Sequence, residues 1–436
     1  MTTALARGLS PARAVLDNGA VVLVQEASAI PAVTVMATFV AGSLYDPPGL
    51  PGVAYLTGRV LDRGTERRSG EIIAEALDDR GVSLKVSTTR HTMSLSCTCL
   101  TEDFDQVLAI VLDVARRPIF PEAEIAKRRA EIITALRQDE DNPAAAAGHA
   151  LLEMLYGPDH PYGRRTKGTI PSLDQIGQAD LMAFHSARIV PRTLTLVVVG
   201  DLAGSQAFER AARELEGWDG VLPADVVVPP PPSPQGRRER VVSMPGKSQT
   251  DIAYGFTTVR RLDPRYYGYW LMNNVLGQFG LGGRLADNIR ERQGMAYYAF
   301  SAFDPDVAEG PLIVRAGVDP ANVRRAVQAI DHEVGRLCAE GPTAQELEES
   351  RRYLIGSVAR MLETNQSIAA FLQSVEQFGL GLDYDRQIAD HLEKVSLDEA
   401  RAAAAEVLHP ARAAVAIAGP TPSAFDPVPP PLDAGR

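Results

Sequence analysis

The sequence predicts an α+β fold of two homologous domains, each a mainly antiparallel β-sheet packed with helices, joined by a proline-rich linker. Three observations carry this expectation. At 436 residues the chain is too long for one ordinary core, since a domain takes roughly 150 residues. Its halves resemble each other: a proline-initiated amphipathic helix, FPEAEIAKRRAEIITAL, is followed much later by a β-rich segment, TLTLVVVGD. In the second half GPTAQELEESRRYLIGSV and AAVAIAGPT repeat that order, with Glu346 lying 222 residues after Glu124 and Gly419 lying 219 after Gly200. Between the halves, VVVPPPPSPQGRRER forces an extended path that neither a helix nor a central strand absorbs. The expected organisation is a first domain over 1–225, a linker over 226–240, a second domain over 241–420 and an unstructured tail over 421–436.

Each element has a local reason. VVLVQEA and AVTVMATFV are β-branched runs separated by the turn-prone SAIP, which predicts antiparallel neighbours. GVAYLTGRVLDRGTERRS, residues 52–69, reads as a short helix with Val53, Leu56, Val60 and Leu61 on an apolar face, ending in a glycine turn. GLGGRLADNIRERQGMAYYAFSAF, residues 280–303, reads as a glycine loop, a short helix from Arg284 to about Arg292, a turn at Gly294 and an aromatic strand. A regular strand directs Tyr297 and Tyr298 to opposite faces, so one of the two is expected to face a cavity. In PANVRRAVQAIDHEVGRL, Val323, Val327, Ile330, Val334 and Leu337 form one apolar seam, and Ser396 with Glu399 forms a capping box.

Composition narrows the function. With 45% hydrophobic and 23% charged residues the chain has the makeup of a globular protein, which excludes disorder and fibrous architectures. A net charge of −11 without a basic stripe argues against nucleic acid and anionic membranes as partners. Three scattered cysteines form no disulfide framework, and the absence of a long apolar run or an apolar leader segment leads to the expectation of a cytoplasmic protein.

Several residue groups invite a chemical reading. The glycine loop lacks a GxGxxG or phosphate-loop pattern. Cys97 and Cys99, with His91 nearby, share a strand face but are too few for a zinc site and read as core thiols. His149 and Glu153 stand at helical spacing, an arrangement more often structural than metal-binding. No GxSxG elbow or Cys-His arrangement supports a nucleophilic enzyme.

The segment from Gly52 to Ser69 resembles, in its frame, the pitrilysin and mitochondrial-processing-peptidase family of insulinase-type (inverzincin) zinc peptidases, where the corresponding stretch reads GxAHxxEHxxxxGT. AVLDNGAVVLVQE, PDHPYGRRTKGT and VVVGDL extend the resemblance along nearly the whole chain. In that family the two histidines bind zinc, the intervening glutamate is the general base, and a glutamate about 76 residues later completes the ligand set. The matching positions here are Tyr55, Gly58, Arg59 and Ala135, none of which holds zinc in the family's way, so no metal or other cofactor is expected in this chain. Around Lys85 and Val86 the asparagine-bearing pattern that holds substrate in active relatives is also replaced.

One family motif is retained. Active members carry an arginine and, seven residues later across a glycine turn, a tyrosine that reach the substrate. Here these are Arg290 and Tyr297. A phenol can donate to a developing oxyanion and a guanidinium can fork onto carbonyls or a carboxylate. The resemblance therefore implies the subunit lacking zinc in a heterodimeric metallopeptidase, partnered by a homologous HxxEH-bearing chain that carries the zinc, with a peptide as substrate. The alternative it leaves is a structural subunit resembling the core proteins of a respiratory complex, with no catalytic contribution.

Overall fold

The computed structural model describes residues 8–234, 236–278 and 282–420; the tail expectation over 421–436 and part of the glycine loop lie outside them. In chain order the first elements are β1 (Ala12–Val15), β2 (Val21–Glu26), β3 (Ala32–Phe39), α1 (Val53–Val60), α2 (Gly70–Asp78), β4 (Lys85–Thr88) and β5 (Met93–Leu100). There follow α3 (Phe104–Arg116), α4 (Glu122–Glu140), α5 (Pro143–Tyr156), α6 (Ile170–Gln175), α7 (Gln178–Arg188), β6 (Leu194–Gly200) and α8 (Gly204–Leu215). The rest comprises β7 (Arg238–Ser243), β8 (Thr250–Thr257), α9 (Tyr266–Asn273), β9 (Ala296–Phe303), β10 (Pro311–Val318), α10 (Val323–Glu340), α11 (Ala344–Met361), α12 (Asn365–Phe378), α13 (Tyr384–Lys394), α14 (Leu397–Val407) and β11 (Ala414–Gly419).

Two sheets result, ordered β1-β2-β6-β3-β5-β4 and β7-β11-β8-β10-β9. Leaving out β1, they have the same plan. The strand that ends each repeat, β6 or β11, lies parallel to one neighbour and antiparallel to the other. The α+β class with two duplicated, mainly antiparallel sheets is therefore the observed architecture. One expectation is corrected: β2 and β3 are not neighbours, because β6 inserts between them. A turn-prone SAIP permits a hairpin but does not require one, and β6, apolar on both faces, fits best at the sheet centre.

The chain forms two compact units, each built from separated segments. Among the described residues, unit 1 takes those of 8–137, 159–229 and 351–394, and unit 2 those of 138–158, 230–350 and 395–420. In unit 1 the two faces of the sheet are buried separately. Val22, Val24, Val33, Val35, Leu196 and Val198 enter the main core with Leu56 and Val60 of α1, while Leu23, Met36, Val197 and Val199 lie against Ile368, Ala369 and Leu372 of α12. That division is the strand period of two, and it explains the uninterrupted apolar runs in the sequence. In unit 2, α5 packs against β8 and β11, with Gly255 leaving room for Leu151. The opposite face carries Ile330, Val334 and Leu337 of the α10 seam. The Ser396–Glu399 capping box is present at the start of α14. No helix among the described residues is long and apolar enough to cross a membrane.

Candidate functional site

In unit 1, α1 begins where Gly52 takes a left-handed φ of 104° and the Asp46 carboxylate accepts from the Gly52 and Ala54 N–H groups, each at 2.7 Å. Burial pushes the Asp46 carboxyl up to about 6 against the pull of those donors. Val53, Leu56 and Val60, all fully buried, fix the helix on the core and so fix where the other face points. Tyr55 packs partly buried beside the same core. Arg59 donates to Glu131 of α4 at 2.8 Å, and Arg128 reaches the same carboxylate at 2.7 Å. Ala135 lies one turn further along α4. Gly58 faces β4 so closely that a Cβ there would come within 2.5 Å of the Thr88 hydroxyl.

This donor set does not fit zinc. A phenol, a missing side chain, a guanidinium and a methyl replace what a divalent cation requires, and the guanidinium is held there by its own carboxylate. Among the described residues no group of three or more His, Cys, Asp and Glu could hold a metal ion. The sequence reading missed Glu131, which belongs to no metal-ligand spacing; only the packing of α4 near α1 pairs it with Arg59.

Unit 2 carries Arg290 and Tyr297. The helix expected from Arg284 is wound over Ala286–Arg292 as a π-helix, and Gly294 closes it with φ 61°. Its Arg290 and Ile289 carbonyls accept from Gly294 and Met295, which ties the helix to the start of β9. Arg290 is half exposed, 3.5 Å from Glu291. The segment is anchored by Arg284, almost fully buried, which forks onto Glu346 through two 2.7 Å bonds. Burial alone would raise the Glu346 carboxyl, yet that fork and the Thr343 N–H hold it down to about 2.

The expectation that Tyr297 and Tyr298 face opposite ways is corrected by a β-bulge. Gly317 of β10 pairs with Tyr298 while Val318 pairs with Ala296, so Tyr297 is the extra residue. Ala296 and Ala299 point into the core, and both tyrosines between them turn away from it. Tyr297 is 85% exposed. Tyr298 lies across Gly317 and donates to the buried Asp251 carboxylate on β8. A Cβ at Gly317 would meet the Tyr298 ring at 2.6 Å, so the crossing depends on glycine. An interior glycine in a strand, VRAGVD, was the available sequence signal for such a close approach.

Cys97, Cys99, His91 and Glu153 are buried or paired within their own units. Cys97 and Cys99 are buried in the unit 1 core, with their thiols pushed by burial up to about 12 and about 11. His91 meets the Tyr162 hydroxyl at 2.8 Å. Glu153 pairs with Arg240 at 2.6 Å, helping to hold α5 in unit 2. Lys85 and Val86 lie on β4, an edge strand of the first sheet.

Comparison with known proteins agrees with the duplicated fold. Residues 21–169 match the family described as insulinase (peptidase family M16), and residues 175–354 match the peptidase M16 inactive domain. The chain belongs to peptidase family M16. An uncharacterized zinc protease of Mycobacterium leprae is 26% identical over 95% of this chain and 93% of its own length. A protein of Helicobacter pylori named non-peptidase homolog YmxG is 25% identical over 82% of each chain. Among solved structures, a peptidase M16 inactive domain from Pseudomonas fluorescens superposes with a TM-score of 0.88 at 26% identity, over 95% of this chain and 98% of its own.

Proposed function

We propose that this chain is the subunit without zinc of a two-chain peptidase of family M16, acting in the cytoplasm on peptides held with an HxxEH-bearing partner. The observation that carries the reading is the solvent exposure of Tyr297 on a bulge that follows the turn after Arg290. A tyrosine serving only the fold gains by burying its ring, whereas a donor awaiting a substrate carbonyl has to be presented. The non-peptidase name of the Helicobacter relative and the inactive-domain family match support a chain that does not hydrolyse peptides by itself. Arg290 is assigned to fork onto substrate carbonyls or a carboxylate, and Tyr297 to donate to the oxyanion at the partner's zinc site.

The test is zinc content and peptide hydrolysis of the chain alone and mixed with an HxxEH partner. Activity confined to the mixture, with about one zinc per pair, is the expected result, and the metal should lie in the partner. Zinc and hydrolysis in the isolated chain would overturn the reading. A mixture that assembles and cleaves equally well with Tyr297→Phe and Arg290→Ala would favour a purely structural subunit.

A further inference from the structure

Within unit 2 a cleft of about 490 Å³ opens beside Tyr298, large enough for the end of a peptide. Its lining includes Asp251 and Tyr298 from the sheet, Asp141 and Asn142 leading into α5, and Lys247 and Gln249 from the loop before β8. Asp251 is only 3% exposed, and its carboxylate accepts from the Tyr298 hydroxyl and, at 3.2 Å, from the Gln249 amide. Both donors are neutral, so neither cancels the carboxylate's charge. Lys247 is paired with Asp141 at 2.7 Å. The Asn142 side-chain oxygen is turned to the Ala144 and Ala145 N–H groups, so the helix N-terminus is already capped. Arg315, the further cation near Tyr298, donates to the Ala144 carbonyl beneath α5 and is not part of the lining.

We propose that this cleft binds a peptide ammonium group against Asp251. Each Asp251 oxygen has a lone pair beyond the one used by its neutral donor, and a carboxylate in so secluded a place attracts a cation more strongly than one in water. An anionic ligand would meet that carboxylate, with the lysine of the cleft already paired. The inference deepens the proposed function, since it places a second hold on the peptide near the bulge that presents Tyr297. The ammonium can come from the peptide N-terminus or from a lysine side chain.

Binding is measured by fluorescence anisotropy on the full chain without partner, using a C-terminally labelled ten-residue peptide in three forms. One has a free N-terminus and no lysine, one is N-acetylated without lysine, and one is N-acetylated with a single lysine. Acetylation without lysine should weaken binding about tenfold, and Asp251→Asn should abolish that difference; recovery with lysine would identify the side chain as a second source. Lys247→Gln combined with Asp141→Asn, which removes the ion pair of the cleft without freeing its carboxylate, should leave the preference for the free amine in place, which keeps the test decisive if Asp251→Asn does not fold. Equal binding of the free and acetylated peptides, persistence of the difference in Asp251→Asn, or its loss in the Lys247→Gln and Asp141→Asn double variant would overturn the proposal. Because no hydrolysis is read, failure here is distinguishable from failure of the shared active site.

Discussion

Tyr297 and Tyr298 are adjacent, chemically identical and placed in different circumstances by one extra residue in a strand. The bulge exposes the first, while the second is fixed across Gly317 by its bond to Asp251. In the complex, Tyr297→Phe should lower turnover by roughly 10²-fold, with little change in assembly measured by sedimentation, as for loss of one oxyanion donor. Gly317→Ala should destabilise the chain by about 1–3 kcal/mol by displacing the Tyr298 ring. In that background, Tyr298→Phe should have little additional effect, a coupling readable in a urea-denaturation double-mutant cycle. At Gly58, substitution by Glu collides with Thr88, so Gly58→Glu should lower the unfolding midpoint and Thr88→Ala should recover part of the loss.

At the scale of elements, the segment bearing Arg290 depends on a fastening remote in sequence, the Arg284 fork onto Glu346. Glu346 is held at about 2, below the 4.5 of an unperturbed glutamate, so folding favours its ionised form. Its stabilising contribution should be fully present above pH 4.5 and fade as the pH falls towards 2. Thermal unfolding of wild type and Glu346→Gln should therefore differ at pH 7 and converge in acid. A difference that grew on acidification would contradict the assignment. The starts of α5, α12 and α14 carry side-chain caps, of which the Ser396–Glu399 box was legible because its donor and acceptor stand three residues apart in sequence. The bulge at Tyr297 was not legible, because it is a matter of the register in which β9 pairs with β10, and the residues of the π-helix before it read equally well as an α-helix.

For the whole molecule, the compact units interleave segments from both sides of the proline-rich run. The apolar patch of Leu23, Met36, Val197 and Val199 is covered by Ile368, Ala369 and Leu372 of α12. A fragment spanning 1–229 should therefore expose that patch, bind a hydrophobic dye and unfold without a sharp transition. Supplying 351–394 in trans should restore cooperative unfolding, followed by circular dichroism. Cooperative folding of the first fragment alone would show that the α12 surface is dispensable.

The sequence by itself determined the α+β class, the duplication and the α10 seam. Each of these is a matter of residue type and short or repeated spacing, which the chain carries without reference to distant partners. Tertiary structure decided that β6 separates β2 from β3, that α12 covers a sheet formed by the other half, and that Arg59 meets Glu131. It also decided that Tyr298 crosses Gly317 to Asp251. Strand order and side-chain pairing across long separations are selected by which faces can be buried together and which charges can be satisfied, and those choices exist only once the segments share one core.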